Sequence, residues 1–222
     1  MPVVNLGVLA SGGGTNLQAV IDACAAGRID ARISVVISDK AEAGALGRAR
    51  DHGIPAVHIS VAKSDTLQWE QDNAAIAECL QQHGVRLVCL AGYMRKVSPG
   101  LLGAFPGAVM NIHPALLPSF VGHRGQGDAA DYGVKIAGAT VHFVDAEFDH
   151  GPVIIQAAVP ALDDDTEDTL GRRILAQEHR IYPQAIQWFA EGRLTIVERK
   201  VIVAGRNPDE GEALISPRLE LR

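Results

Sequence analysis

Val3-Val4-Asn5-Leu6-Gly7-Val8-Leu9-Ala10-Ser11-Gly12-Gly13-Gly14-Thr15-Asn16 carries an apolar run of strand length straight into three glycines. Beyond it Leu17, Val20, Ile21 and Cys24 recur at i, i+3, i+4 and i+7, the period of a helix with one apolar face. Strand, glycine turn and helix in that order begin a βαβ unit, and the pattern repeats. Ile33 to Ile37 reads as a strand, and Ala41 to His52 as a helix that stops at Gly53. A short strand around Val57, a long helix from about Ser64 to His83 and the run Leu87 to Leu90 follow. Such alternation predicts a parallel sheet with right-handed crossovers and helices on both faces.

The second half changes character. Ala137 to Val144 and Val153 to Val159 are strand-like runs separated by eight residues, too few for a crossover helix, so they are expected to pair antiparallel. Asp165 is placed as a helix N-cap with Asp168 at the third helical position. Leu170, Ile174, Ile181, Ala185 and Phe189 step along one helix face. Pro183 falls inside that pattern and is expected to kink or interrupt it. Thr195 to Val203 reads as a last strand, and 204–222 as a polar tail. The predicted fold is therefore α/β: a Rossmann-like mixed sheet, mostly parallel with an antiparallel C-terminal part, in a single domain over 1–203.

Of the 222 residues, 47% are hydrophobic and 21% charged, an ordinary balance for a soluble globular chain. The formal net charge of −6 argues against a partner that is duplex nucleic acid. Cys24, Cys79 and Cys89 are odd in number and scattered, which suits reduced thiols better than a disulfide framework or a zinc site. The N-terminus lacks the basic start and long apolar run of a signal peptide, and no apolar stretch reaches membrane-spanning length. The expected location is cytoplasmic, with no membrane partner.

Ligands of doubly wound sheets bind at the C-terminal strand ends. Three places lie there. In Ser11-Gly12-Gly13-Gly14-Thr15-Asn16 the glycines admit close approach of a ligand, and the following helix start favours an anion, so phosphate is the expected ligand. The alternative is a tight turn with a Thr or Asn cap. Asn111-Ile112-His113-Pro114 follows the apolar Ala108-Val109-Met110, so Asn111 and His113 project to one side of a strand end. Histidine is a proton-exchanging residue type and asparagine can donate to a developing oxyanion; a structural histidine before a proline is the alternative. The turn from Val144 to Pro152 is rich in acids, and its Asp149 is a candidate partner for His113; a plain acidic hairpin turn is the alternative. The remaining histidines lack metal-ligand spacing and no G-x-S-x-G is present, so neither a metal nor a serine nucleophile is expected.

Taken together, these stretches resemble the phosphoribosylglycinamide formyltransferase family over about residues 3 to 200. The likeness rests on Val8 to Ala19, on Leu90-Ala91-Gly92-Tyr93-Met94-Arg95, on Asn111 to Pro118, on Thr140 to Asp145 with Asp149 and Gly151 to Gln156, and on Gln177 to Pro183. The resemblance implies a formyltransferase fold and transfer of formyl from 10-formyltetrahydrofolate to glycinamide ribonucleotide, with no metal. It implies that Asn111, His113 and Asp149 are catalytic. It places the substrate phosphate on Gly12, Gly13, Gly14, Thr15 and Asn16, and the glycinamide end near Glu178. The folate would lie along Met94, Arg95, Lys96, Val97, Asp145, Ala146, Glu147 and Phe148. On this reading residues 1–100 form a phosphate-binding half and 101–203 a folate and catalytic half, in a monomer or homodimer.

One stretch departs from the family. After Phe120 the family usually continues Pro-Gly-x-His-x-x-Arg, whereas this chain has Val121-Gly122-His123-Arg124-Gly125-Gln126-Gly127. Arg124 stands in the usual histidine's place, Gly127 in the usual arginine's, and His123 one position early as its possible substitute. Methionyl-tRNA formyltransferase and formyltetrahydrofolate hydrolase share the Asn-x-His region. The first is disfavoured by the chain's acidity and length, the second by a first strand that begins at residue 3. A non-catalytic folate or nucleotide module is the alternative of a different class.

Overall fold

The computed structural model of the chain describes residues 3–205, together with 214, 216 and 217. Most of the expected polar tail thus lies outside the described residues. The first half runs β1 (Val4–Leu9), α1 (Thr15–Ala25), β2 (Ala31–Ser38), α2 (Gly44–Asp51), β3 (Ala56–His58), α3 (Leu67–Gln82) and β4 (Leu87–Leu90). The second half runs α4 (Pro99–Ala104), β5 (Val109–His113), α5 (Gly125–Tyr132), β6 (Ile136–Phe143), β7 (Val153–Pro160) and α6 (Glu167–Ala190). It ends on β8 (Leu194–Val197) and β9 (Lys200–Val203).

Seven strands form one sheet in the order β3-β2-β1-β4-β5-β6-β7. The pairs β2–β3, β1–β2, β1–β4 and β4–β5 are parallel; β5–β6 and β6–β7 are antiparallel. The mixed sheet is the one expected. Successive strand residues serve opposite cores: Val8, Val36 and Cys89 pack with α1, α2, α5 and α6, while Leu9, Ile37 and Leu90 pack with α3 and α4. The strand order reverses between β1 and β4, which opens a crevice at their C-terminal ends.

Three expectations are corrected. The N-cap of α6 is Thr166, not Asp165. Thr166 Oγ1 accepts from the Thr169 N–H at 3.3 Å, and Thr169 Oγ1 accepts from the Thr166 N–H at 2.8 Å. Asp165, one residue earlier, takes two bonds from Arg173 (2.6 and 3.1 Å), and this guanidinium holds its carboxyl down to about 2. Pro183 does not interrupt α6. It removes one helical hydrogen bond, but Tyr182, Ala185 and Ile186 around it are fully buried, and that packing holds the helix through the gap. Thr195 to Val203 is a two-stranded hairpin rather than one strand, turning at Glu198, which has a φ of 54°.

Candidate active site

On β5, Val109 enters the α3–α4 core while Met110 and Ile112 enter the opposite one. Asn111 and His113 share the face of Val109. Antiparallel register sets Asn111 across from His142 and His113 across from Thr140, so four polar side chains occupy one patch of sheet. Thr140 Oγ1 donates to Ala115 O at 2.7 Å and accepts from the Leu117 N–H at 3.1 Å; Gln156 Nε2 donates to Leu117 O at 3.0 Å. The segment after His113 is thereby pinned to β6 and β7.

Asp149 folds in beside His113. Its Oδ2 lies 3.4 Å from His113 Nδ1, and both side chains are about 5% exposed or less. His113 Nε2 lies 2.9 Å from the Phe120 carbonyl and must donate to it. Nδ1 then faces a carboxylate oxygen, and the contact is attractive only with a proton between them. Asn111 Nδ2 reaches the same carboxylate at 3.4 Å and His142 Nε2 at 3.1 Å. Burial holds the His142 imidazole below its ordinary pKa, and its Nδ1 donates to Phe143 O at 2.9 Å. Neutral His142 therefore presents a lone pair at Nε2, which fixes the amide end of Asn111 that faces the trio.

The backbone contributes as well. Asp149 has a φ of 49° and Phe120 a φ of 54°. The left-handed region is uncommon for residues other than glycine, and both of these residues are partners of His113. Gly122 N–H donates to Asp149 Oδ2 at 3.1 Å.

At the switch point Ser11 N–H donates to Gly92 O at 3.0 Å, and Ser11 Oγ accepts from Met94 N–H at 2.9 Å. The glycine turn is held from behind: Gly12 O accepts from Ala45 N–H at 3.0 Å and Gly13 O from Arg48 Nε at 2.7 Å. Gly14, with a φ of 74°, caps α1, so neither Thr15 nor Asn16 is the cap. A Cβ on Gly14 would lie 2.9 Å from Ala45, whereas Gly12 and Gly13 face open space. No bond from the N–H groups of Gly12, Gly13 or Gly14 is present among the described residues.

A cleft of about 420 Å³ joins these parts. Asn111, His113, Asp149, Thr15, Asn16 and Glu178 all line it, whereas Gly12, Gly13 and Gly14, expected to hold a phosphate, are not among its lining residues. Asn16 Nδ2 donates to Glu178 Oε2 at 2.8 Å; burial pushes this carboxyl up, opposed by that hydrogen bond. Met94 to Val97 and Asp145 to Phe148 line the wall. Arg95 Nε is fixed at 2.7 Å by Asp39, whose side chain is fully buried. His123 also lines the cleft, but it packs edge-on against Phe148 with centroids 5.4 Å apart and makes no bond to His113 or Asp149.

Residues that sequence reasoning passed over also line the wall: His142, Gln126, and Glu167, Asp168, Gly171, Arg172 and Leu175 of α6. The α6 set was readable as helical steps leading to Glu178; the His142 pairing was not, because it depends on β5–β6 register. Among the described residues no group of three or more His, Cys, Asp or Glu is placed to hold a metal ion, and no helix is long and apolar enough to cross a membrane.

Known proteins share this fold. The family described as formyl transferase matches residues 4–186. Phosphoribosylglycinamide formyltransferase of Escherichia coli K12 is 42% identical over 95% of this chain and 99% of its own. The crystal structure of glycinamide ribonucleotide transformylase 1 from Symbiobacterium toebii is 55% identical, with a TM-score of 0.86 over 90% of this chain and 94% of that one. A formyltetrahydrofolate deformylase from Pseudomonas syringae superimposes with a TM-score of 0.83, at 28% identity, over 90% of this chain and 65% of its own. The chain belongs to the formyl transferase family, on its phosphoribosylglycinamide formyltransferase branch.

Proposed function

We propose that the cleft takes 10-formyltetrahydrofolate along Met94–Val97 and Asp145–Phe148, and glycinamide ribonucleotide across Thr15, Asn16 and Glu178. The substrate phosphate sits on the free N–H groups of the Gly12–Gly14 turn, where the positive end of α1 points. The observation that carries the reading is the convergence of Asn111 and His113 on the Asp149 carboxylate, 3.4 Å from each, in the wall of the cleft.

The chemistry follows from that convergence. The neutral amine of glycinamide ribonucleotide attacks the formyl carbon, forming a C–N bond and a tetrahedral oxyanion. Asn111 Nδ2–H and the His113 imidazolium stabilise that charge, a contribution of about 10²–10³ in rate for one well-placed donor. The proton leaving the attacking amine passes by way of Asp149 and His113 to the folate N10, whose bond to the formyl carbon breaks. Formylglycinamide ribonucleotide and tetrahydrofolate result, without a covalent enzyme intermediate. His142 acts behind Asn111 by holding its amide in the donating orientation.

The hydrolase reading uses the same trio with water in place of the amine. Release of tetrahydrofolate from 10-formyltetrahydrofolate separates the two. Turnover that requires glycinamide ribonucleotide is expected. Equal rates with and without it, with formate as product, would establish hydrolysis instead.

A further inference from the structure

The segment in which the chain departs from its family lies directly on the trio. Phe120 C=O accepts from His113 Nε2 and Gly122 N–H donates to Asp149 Oδ2. A Cβ on Gly125 would stand 3.2 Å from both His113 Nε2 and the Ala115 methyl, so only a glycine lets the backbone lie this close to the imidazole without pushing it. The loop therefore holds both members of the His113–Asp149 pair.

Arg124 links the loop to α6. Its Nη2 lies 3.3 Å from Glu167, the first residue of α6, and 3.2 Å from Asp131, while Nη1 lies 3.5 Å from Asp128. A Cβ on Gly127 would fall 2.7 Å from Glu167 Oε2 and 3.0 Å from Arg124 Nη2, so Gly127 leaves the room in which the two ends meet. None of these residues serves α5 as a helix. Arg124 occupies its N-cap without making a cap bond, and a cation there opposes the helix dipole. Gly125 and Gly127 lower helix propensity in its first turn. Each is explained by the loop's contacts.

We infer that Arg124 is a positioning residue for the His113–Asp149 pair: its ion pair with Glu167 ties loop 119–125 to α6 and so sets the backbone that holds both partners. The inference rests on the catalytic reading of the trio. Because Arg124 and Glu167 are about half exposed, the tether is screened by salt.

The test is the single-turnover rate of formyl transfer at saturating substrates. Arg124→Ala is expected to lower that rate roughly three- to tenfold, the scale of an exposed ion-pair network, with the KM of each substrate changed less than twofold. Arg124→Lys should recover most of the rate. The parent should slow between about 0.05 and 0.5 M salt while Arg124→Ala does not. Glu167→Gln should reproduce the loss, and the double variant should add nothing to it. Gly127→Ala, which forces the carboxylate away, should act likewise. An unchanged rate in Arg124→Ala, additive losses in the double variant, or equal salt sensitivity of parent and variant would each overturn the tether. Failure of the catalytic reading is distinct: there His113→Ala would itself transfer formyl at the parent's rate.

Discussion

Glu178 illustrates how a single residue at this site ties stability to pH. It is buried, and burial raises its carboxyl pKa. The folded chain thus keeps a proton at pH values where the unfolded chain has released it, and stability falls as pH rises through that interval. Glu178→Gln keeps an acceptor for Asn16 and removes the titration. The variant should match the parent near about pH 4 and unfold at higher temperature than the parent at pH 7, as scanning calorimetry would record; a lower melting temperature at pH 7 would show the charge to be stabilising. At the glycine turn the two open positions separate binding from folding. A Cβ at Gly13 would meet no atom within 4 Å, so Gly13→Val should leave stability nearly unchanged while weakening the phosphate-bearing substrate more than the folate. Equal losses for both ligands in titration calorimetry would remove the phosphate from this turn.

At the scale of elements, α6 carries the cleft wall on one face and the core on the other. Tyr182, one turn beyond Glu178, is fully buried and its hydroxyl reaches Leu90 O at 2.9 Å and Met110 O at 3.1 Å. It bridges β4 and β5 just before Asn111. Tyr182→Phe should destabilise the protein by about 1–2 kcal/mol, measured by urea unfolding, because two buried carbonyls lose a donor; no change would mean that the strand ladder alone satisfies them. Thr166→Ala should cost about 1 kcal/mol through loss of the cap, whereas Asp165 is expected to act through Arg173. These elements also mark how far the sequence could be read. The period of α6 and the alternation around Asn111 and His113 are local, and both were legible. The cap was misplaced by one residue because Asp165 and Thr166 are both capping types, and Arg173 on the next turns of the helix decides between them. The hairpin at Glu198 was missed for want of a glycine or asparagine turn, and α5 because Gly125 and Gly127 hide its helical signal. His142 and Asp149 reach the site through register and a long loop, which no local pattern encodes; the acidic turn named Asp149 as a candidate partner for His113, but spacing alone could not bring the two together.

For the molecule as a whole, the sheet's two halves meet at one cleft. Parallel strands deliver Thr15, Asn16 and the Met94–Val97 wall; the antiparallel part delivers His142 and the Asp145–Asp149 turn to the same opening. The central claim is that formyl transfer occurs in this cleft on Asn111, His113 and Asp149. It is tested most directly by the rate of tetrahydrofolate release from 10-formyltetrahydrofolate and glycinamide ribonucleotide by His113→Ala beside the parent, with binding of both ligands measured on each. A loss of kcat of at least about 10²-fold with both ligands still bound is the expected result; transfer within a few-fold of the parent would contradict it.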